Sequence, residues 1–553
     1  MGLAAVVVVP ARDEERRIGA CLRALAEQTL PGSDFEVIVV LDECRDDTAR
    51  VARETAAPLR LALTALDGPG GGAGPARRLG MDLACERLLA AGQSSGLIAC
   101  TDADSRPSRD WLERQLAHVA AGARAIAGLI ELDEDEADEL PPAVRERRER
   151  DAGARLRRVR RSDPDAAHHH FAGASIGVTA ETYRAVGGIE PLVALEDAGF
   201  AARLADHQVP ILRAADVRVS TSARSGGRVP RGLSVDLAVS RWYERRRYHA
   251  AQFTPATLRC AGSAAPVTVV IPTKDCAETI AGVLERAVAP LVAHGLVQEV
   301  VVVDAASPDG TAELAAGAGA RVLQQDEIRP ELGPAQGKGD AMWRALQVTG
   351  GEIVCFLDGD TADPRPDHLQ GLLGPLLCDP TVQLVKGAFD RPLQAGSVSL
   401  PHEGGRVTEL MARPLLNLHE PLLAGFAQPL AGEFAARRDL LESIPFPVGY
   451  GVEIATLIDA LRHAGLDALA ECQLGTRQNR HQPLRALGEM SYAVLAAVEN
   501  RLAPSARSGA SQPTGHYLKP WSDAEPVLIP VGERPPVREA SAHSRRRLPA
   551  PAP

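Results

Sequence analysis

Four motifs occur twice, in the same order, in the two halves of this chain of 553 residues. The first half reads VVVVPARDE, VIVVLDECRDDTA, GPGGGAGPARRLGMDLA and GLIACTDADSRP, and the second reads VTVVIPTKD, VVVVDAASPDGTA, GPAQGKGDAMWRAL and EIVCFLDGDTADP. Pro10 and Asp42 are 32 residues apart, and so are Pro272 and Asp304. Shared order with matched spacing indicates duplication of a whole domain, because solenoid repeats are much shorter.

Each half begins with a continuous apolar run, which is typical of a strand covered on both faces. Helical patterns follow, for example at 279–294 and 340–348. This alternation predicts an α/β fold with a mostly parallel sheet, whose ligands bind beyond the carboxyl ends of the strands. The carboxylates expected at these ends are Asp42, Asp102, Asp304 and Asp358.

The length suits two domains with separate cores. We predict a first domain at residues 1–235, a linker at 236–265, a second domain at 266–502 and a tail at 503–553. The tail is rich in Ser, Pro, Gly and Arg and ends RRRLPAPAP, so we expect it to be disordered.

The composition excludes several classes of protein. A net charge of -11 with dispersed Lys and Arg argues against a nucleic-acid partner. The nine cysteines form no CxxC pair, which argues against zinc or a disulfide framework and favours a cytoplasmic location. No apolar run approaches the roughly 18 residues of a membrane span, so none is expected.

The sequence FLDGD places Asp358 and Asp360 at an expected strand end, with Gly359 between them. A departing diphosphate accumulates negative charge, and a divalent cation held by carboxylates neutralises it. The pattern therefore predicts a nucleotide-sugar site with Asp360 as a ligand of Mg²⁺ or Mn²⁺. On a surface loop the same pattern is usually only a turn.

Lys338 lies between two glycines at an expected helix start, where free backbone N–H groups and a cation favour phosphate. The GxxxxGK[ST] spacing of a P-loop is absent. The alternative interpretation is an ordinary helix entry.

Seven segments together resemble the glucosyl-3-phosphoglycerate synthases: PTKD, GPAQGKGDAMWRAL, FLDGD, QLVKGAFDRPL, GGRVTELMARPLL, QPLAGEFAARRDLL and PVGYGVEIATLID. The resemblance covers roughly residues 265–500. It implies a GT-A (nucleotide-diphospho-sugar transferase, Rossmann-like) fold and a homodimer. It also implies transfer of glucose from UDP-glucose to the C2 hydroxyl of 3-phosphoglycerate, with retention at the anomeric carbon.

The resemblance further implies roles for individual residues. Those on the donor side are Pro272, Thr273, Lys274, Asp275, Asp304, Lys338, Asp358, Gly359, Tyr450, Gly451, Glu453 and Arg477. Those on the acceptor side are Gly405, Arg406, Val407 and Thr408, with Arg406 as the fork that binds phosphate or carboxylate. The backbone carbonyl of Leu430 would lie near the reacting hydroxyl, and Glu433 is a rival carboxylate for that role.

One segment departs from the family, which has Arg-x-His-x-Asn where this chain reads GTRQNRHQPL. Asn479 stands at the histidine position and His481 at the asparagine position, so either could be the second metal ligand. The choice bears on Mn²⁺ against Mg²⁺. Two further departures are Cys276 and Ala305, at positions where the family has an acidic residue and a serine.

The first half resembles the broad family-2 glycosyltransferases through PARDEE, the DAD of 102–104 and the LED of 195–197. The resemblance makes Asp104 a candidate metal ligand and Asp197 a candidate base. Residues 168–170 are three consecutive histidines, which we interpret as a polar loop because they cannot all face one ion.

Three alternatives stay open. The second half could instead use GDP-mannose and make mannosyl-3-phosphoglycerate. Either half, the first above all, could be a non-catalytic scaffold. A sugar-nucleotide pyrophosphorylase would need a GxGTR-like loop after the first strand, which neither PARDE nor PTKD provides.

Overall fold

The computed structural model describes residues 2–193, 195–224, 232–260, 265–395, 398–400, 404–477, 484–502, 514–518 and 526–540. It divides into two compact units, Met1–Arg241 and Trp242–Pro553. Each unit is built around one eight-stranded sheet.

The first sheet has the strand order β3-β2-β1-β4-β7-β6-β8-β5. Its strands are β1 Ala5–Ala11, β2 Phe35–Leu41, β3 Leu63–Asp67, β4 Leu97–Cys100, β5 Ser105–Pro107, β6 Ala125–Leu132, β7 Ile176–Thr179 and β8 Ile211–Thr221. The helices of this unit are α1 Ile18–Ala26, α2 Thr48–Leu59, α3 Ala73–Ala90, α4 Trp111–Ala120, α5 Glu134–Asp138, α6 Pro142–Val159, α7 Ala180–Ala185 and α8 Glu196–Asp206.

The second sheet has the order β12-β11-β10-β13-β17-β14-β19-β9. Its strands are β9 Arg247–His249, β10 Val267–Thr273, β11 Glu299–Asp304, β12 Arg321–Gln324, β13 Ile353–Phe356, β14 Leu384–Asp390, β17 Phe434–Arg437 and β19 Leu469–Thr476. Three two-stranded pairs use β15 Leu393–Ala395, β16 Val398–Leu400, β18 Phe446–Pro447, β20 Thr514–Tyr517, β21 Val527–Pro530 and β22 Glu533–Arg534.

The remaining helices begin with α9, Leu233–Arg246, at the unit boundary. After it come α10 Pro255–Cys260, α11 Ile280–Gly282, α12 Ala289–Ala293, α13 Thr311–Gly317, α14 Lys338–Leu346, α15 Pro366–Cys378, α16 Arg413–His419, α17 Arg438–Ser443, α18 Val452–Ala464 and α19 Leu487–Leu502. π-Helical turns at Val283–Val288 and Thr408–Ala412 lie directly before α12 and α16.

The expected pair of α/β domains is confirmed. The first seven strands in the order of each sheet, β3 to β8 and β12 to β19, are connected in the same way. The sheets are more mixed than expected, because β7 and β17 run antiparallel to both of their neighbours. Strand β10 shows why its sequence lacks alternation. Val270 packs into the core on one face of the sheet, and Val269 and Ile271 pack into the core on the other.

Two stretches differ from the expected layout. The segment 236–265, expected to be a linker, contains β9, which pairs with β19 in the second sheet. The tail was expected to be disordered, yet its residues 514–518 and 526–540 contribute β20, β21 and β22. Their apolar side chains supply the reason: Ile529 and Val537 are buried. None of the helices in the described ranges is both long enough and apolar enough to span a bilayer.

Candidate active site

The carboxyl ends of three neighbouring parallel strands bring the predicted donor residues of the second unit together. Strands β10 and β11 pair in a register that sets Thr273 opposite Asp304. Strand β13 pairs with β10 on its other side and ends two residues before Asp358. These ends lie at one edge of the sheet, which is where open α/β sheets bind their ligands.

Asp304 is fully buried, and protein donors occupy both of its oxygens. The hydroxyl of Thr273 donates to it at 3.0 Å, and Ser307 donates from its backbone N–H at 2.9 Å and its hydroxyl at 2.7 Å. The carboxylate therefore fixes the loop that follows β11.

The loop after β10, which carries predicted donor residues, is open to solvent. Lys274 and Asp275 are exposed, and Pro272 is half-buried. Asp275 has a positive φ of 54°, and its backbone N–H donates to the Ser307 hydroxyl at 2.9 Å. A positive φ at a residue other than glycine makes this a strained turn, and both charged residues on it are open to solvent.

Lys338 links the two acidic elements of the site. Its ammonium lies 2.7 Å from Asp358 and 2.9 Å from Glu453, which is 5% exposed. Burial alone would lower the pKa of Lys338, but the two carboxylates raise it above its ordinary value. The lysine is therefore a permanent cation between the Asp-x-Asp loop and α18.

The two carboxylates of FLDGD differ in their electrostatics. Burial raises the pKa of Asp358, but the Lys338 ammonium outweighs burial, so that the pKa lies below its usual range. Desolvation by the surrounding protein, and then the negative charge of Asp358, raise the pKa of Asp360. Asp360 is exposed and has no ion-pair partner in the described part of the chain. It is the open carboxylate of the pair.

Three glycines near Lys338 occupy positions where a larger residue would not fit. A Cβ on Gly432 would overlap the Asp358 carboxylate and the Lys338 ammonium, and a Cβ on Gly339 would overlap the Pro447 carbonyl. Gly359 also packs closely, and its carbonyl accepts a hydrogen bond of 2.7 Å from Thr279. The segments on both sides of the lysine therefore approach to backbone contact.

Lys386 was missed by the sequence reasoning, although it lies in the quoted QLVKGAFDRPL segment. Its side chain is 1% exposed, and its ammonium donates to the Ala431 carbonyl at 2.5 Å. Burial lowers its pKa to about 7. It supports the backbone next to Leu430, which is half-buried against the core.

Glu433, the rival carboxylate, is 2% exposed and forms a close ion pair with Arg477. The Thr361 hydroxyl accepts from Arg477 at 3.1 Å. Burial lowers the Arg477 pKa to about 10. The pair borders a small cavity behind Asp358, with Val283, Ala287, Leu357, Pro364, His368 and Leu369 as the other lining residues. Arg477 therefore lies next to the Asp-x-Asp loop, and its positive charge is balanced by the ion pair with Glu433.

The predicted acceptor loop enters a π-helical turn at Thr408–Ala412. Gly405 has a φ of 68°, Arg406 is half-buried, and Val407 and Thr408 are buried. Of the residues expected to hold the sugar, Tyr450 is exposed, and a Cβ on Gly451 would crowd Ala497 of α19. The glycine permits α18 to begin against α19.

A metal ion at this site would need oxygen or nitrogen donors, and Asp360 offers a carboxylate without an ion-pair partner among the described residues. The other predicted ligands, Asn479 and His481, lie outside the described residues. No group of three His, Cys, Asp or Glu within the described ranges could hold an ion. Within these ranges Asp360 can supply one ligand, and carboxylate oxygens are ligands that a divalent cation accepts.

The first unit has a similar arrangement of a cation between two carboxylates, but with arginine in place of lysine. Arg77, in α3, contacts Asp102 at 2.9 Å and Glu196 at 3.2 Å, as Lys338 contacts Asp358 and Glu453. Asp104 contacts Arg224 at 3.0 Å. Burial, and then the Asp102 charge, raise the Asp104 pKa to about 6.

Two further carboxylates of this unit have different environments. Asp42 is buried and accepts from the backbone N–H groups of Gly70 and Gly72 at 2.8 and 2.9 Å. Asp197 is half-buried at the start of α8 and accepts from the Ala198 N–H at 2.7 Å. Asp42 therefore shapes the glycine-rich loop, whereas Asp197 is accessible.

The three histidines form a loop, and the first of them is buried. His168 is 5% exposed and pairs with the Ala214 carbonyl at 3.3 Å, and His170 accepts from the Ile130 N–H at 3.1 Å. Burial, and then the neighbouring histidines, lower the His170 pKa to about 3. The imidazoles therefore stay neutral and support β6 and β8.

The family model of glycosyl transferase family 2 matches residues 6–181 and 268–425. A glucosyl-3-phosphoglycerate synthase of Mycobacterium tuberculosis is 42% identical over 292 residues, which cover 52% of this chain and 87% of the relative.

Two solved structures are also similar in sequence. A mannosyl-3-phosphoglycerate synthase from Rubrobacter xylanophilus is 43% identical, with 54% of this chain and 99% of the other covered and a TM-score of 0.49. The glucosyl-3-phosphoglycerate synthase from M. tuberculosis in complex with Mn²⁺, UDP-glucose and phosphoglyceric acid is 38% identical, with coverages of 54% and 99% and a TM-score of 0.48.

The family model thus covers most of both sheets, and the curated relative aligns over about half of the chain. The chain is a glycosyltransferase that belongs to glycosyl transferase family 2, and about half of it is homologous to the glucosyl-3-phosphoglycerate synthases.

Proposed function

We propose that the C-terminal unit transfers glucose from UDP-glucose to the C2 hydroxyl of 3-phosphoglycerate, with retention at the anomeric carbon. The observation that carries the proposal is the contact of Lys338 with both Asp358 and Glu453, in a chain with 42% identity to a glucosyl-3-phosphoglycerate synthase. A permanent cation between an acid at a strand end and an acid in the first turn of α18 suits a donor that carries a diphosphate and a polar sugar.

On the donor side, the loop of Pro272 to Asp275 would hold the uridine, and Lys338 would contact the diphosphate. Asp360 would hold a Mg²⁺ or Mn²⁺ ion, which supplies neutralisation of the leaving diphosphate when bound. Tyr450 and Glu453 would orient the glucose by hydrogen bonds to its hydroxyl groups.

On the acceptor side, Arg406 would bind the phosphate or carboxylate of 3-phosphoglycerate through its planar fork. The bond from the anomeric carbon to the diphosphate oxygen breaks, and its electron pair leaves with UDP. The C2 hydroxyl oxygen forms the new bond on the same face, and its proton passes to the departing phosphate. The Leu430 carbonyl orients that hydroxyl, and Lys386 fixes the adjoining Ala431 carbonyl.

Glu433 is poorly suited to a covalent role, because its carboxylate is buried in the pair with Arg477. A nucleophile must reach the anomeric carbon with a free lone pair. This supports front-face transfer over a covalent intermediate.

The remaining features belong to the same proposal. The chain would form a homodimer, and the N-terminal unit would be a second glycosyltransferase with Asp197 as base. GDP-mannose is the alternative donor for the C-terminal unit.

The test is product formation by the full chain with 3-phosphoglycerate, comparing UDP-glucose with GDP-mannose and Mg²⁺ with Mn²⁺. Asp360→Ala should abolish the product. Asp367→Ala, which alters an exposed carboxylate of α15 paired with Arg365, should leave the rate unchanged. A mannosylated product would replace the proposed donor. No product with either donor would overturn the proposal.

A further inference from the structure

The second carboxylate of each Asp-x-Asp has a different environment in the two units. Asp360 is exposed and has no ion-pair partner within the described ranges. Asp104 has a side chain only 16% exposed, and its carboxylate contacts the Arg224 guanidinium at 3.0 Å. The first carboxylates do not differ in this way, because Asp102 and Asp358 each pair with a cation of the helix after the glycine-rich loop.

Arg224 is held in place by a second acid. Its guanidinium donates two hydrogen bonds to Glu14, of 2.9 and 2.5 Å. Glu14 is 7% exposed, and its backbone N–H donates to the Thr48 hydroxyl at 2.6 Å. A buried, bidentate pair of this kind fixes the position of the arginine, in contrast to a surface contact.

At the position equivalent to Glu14, the C-terminal unit has no acidic side chain. The backbone bond from Glu14 to Thr48 has its equivalent in the N–H of Cys276, which donates to the Thr311 hydroxyl at 2.9 Å. Cys276 therefore occupies the position of Glu14, and its buried neutral thiol offers no ionic partner.

The segment after the last long strand also differs in chemistry. Arg224 follows the end of β8 by three residues, and Asn479 follows the end of β19 by three. The first unit reads TSARSGG here, without the imidazole or amide side chains of the second unit's TRQNRH. The position of Asn479, a possible metal ligand, therefore corresponds to the cation Arg224 in the first unit.

We propose that the N-terminal Asp-x-Asp holds no divalent cation, and that Arg224 supplies positive charge there for the diphosphate of a nucleotide. This reverses the expectation that Asp104 is a metal ligand. A guanidinium is permanently charged and matches phosphate oxygens with paired N–H donors. The inference rests on the proposed function only for the ion at Asp360.

The test counts Mn²⁺ bound per full chain by electron paramagnetic resonance, with UDP present. Wild type should bind one ion, Asp360→Asn none and Asp104→Asn one. Arg224→Met frees Glu14 and Asp104 and should bind a second ion, whereas Arg224→Lys keeps the charge and should bind one. Arg218→Met is the matched control, because Arg218 lies on β8 and its contact with Glu131 is solvent-exposed. It should also bind one.

Two ions in wild type, falling to one in Asp104→Asn, would overturn the inference even if Arg224→Met fails to fold. A folded Arg224→Met chain that still binds one ion would overturn the role given to Arg224. If Asp360→Asn keeps its ion while Asp104→Asn also keeps it, the metal assignment of the proposed function fails, and Arg224→Met still decides the inference.

Discussion

Arg534 donates two hydrogen bonds of 2.8 Å to the carboxylate of Asp340, which is fully buried in the first turn of α14. The indole N–H of Trp343 donates to the Pro535 carbonyl at 2.8 Å. Strand β22, which contains Arg534, also pairs with β18. A segment near the end of the chain thus joins the helix that begins with Lys338 to the strand that precedes Glu453.

Arg534→Ala should destabilise the protein by about 2 kcal/mol, because the buried Asp340 carboxylate loses two charge-assisted hydrogen bonds but keeps its contact with Arg344 at 3.3 Å. The donor KM should rise with it, since Lys338 and Glu453 depend on the two elements that Arg534 joins. Urea unfolding and donor kinetics measure both effects. Arg538→Ala is the control, because its pair with Asp439 is exposed, and a change within about 0.5 kcal/mol is expected. Equal effects of the two variants would contradict the assignment.

Gly339→Ala should abolish donor binding or prevent folding, because its Cβ would overlap the Pro447 carbonyl and separate α14 from β18. Gly317→Ala in α13 is the matched control. Its Cβ would meet nothing within 4 Å, and a stability change between zero and about +1 kcal/mol is expected. Thermal melting and UDP titration measure the two variants. Normal UDP affinity in Gly339→Ala would show that the close approach is not needed.

Lys386 should make stability rise with pH above neutrality. Its pKa is about 7 in the folded protein and near 10.5 when exposed, so between these values the unfolded chain binds more protons. The unfolding free energy should therefore increase by about 3 kcal/mol between pH 7 and pH 9.5 through this group. Below pH 7 the lysine is charged in both states and adds no slope.

Lys386→Met should lose this rise, and urea unfolding at the two pH values compares it with wild type. Arg437→Met is unsuitable as a control, because Arg437 donates to several buried carbonyls. Lys274→Met is the better control, because Lys274 is exposed in the loop after β10. A wild-type slope in Lys386→Met would show that another group titrates.

Glu433→Gln should lower the transfer rate by no more than about tenfold while costing about 3 kcal/mol of stability, because it leaves Arg477 buried and unpaired. A nucleophile would behave differently, since its removal typically costs a factor of about 10³ or more in kcat. Single-turnover kinetics with mass spectrometry of the quenched enzyme distinguish the two roles. A glucosylated Glu433 peptide in wild type would contradict front-face transfer.

Part of the position of the candidate site could be predicted from the sequence, because strand ends and turns leave local patterns. Asp358 and Lys338 could be placed from FLDGD and GKG alone. Lys386 could not, because its strand reads as ordinary core and its partner Ala431 is distant in sequence. One signal was available: the chain has only four lysines beside 57 arginines, and Lys274, Lys338 and Lys386 are three of them.

The ion pairs between distant segments could not be predicted from the sequence for a related reason. Glu433 and Arg477 both carry expected roles, but nothing local indicates that they neutralise each other. Arg534 lies in a segment whose composition predicts disorder, yet it has a buried partner 194 residues away. Composition indicates whether a segment folds by itself. The segment around Arg534 is ordered because Arg534 binds Asp340 of another segment.

The contact between Arg534 and Asp340 can form only at a late stage of translation. The ribosome makes Lys338 and Glu453 long before it makes residues 527–535, so a nascent chain lacks the strand that joins their elements. Chains that stop early, or that a protease cuts between 502 and 527, would keep the Asp-x-Asp motif and lose this strand. The elements that carry Lys338 and Glu453 can therefore be joined only after residues 527–535 have been translated.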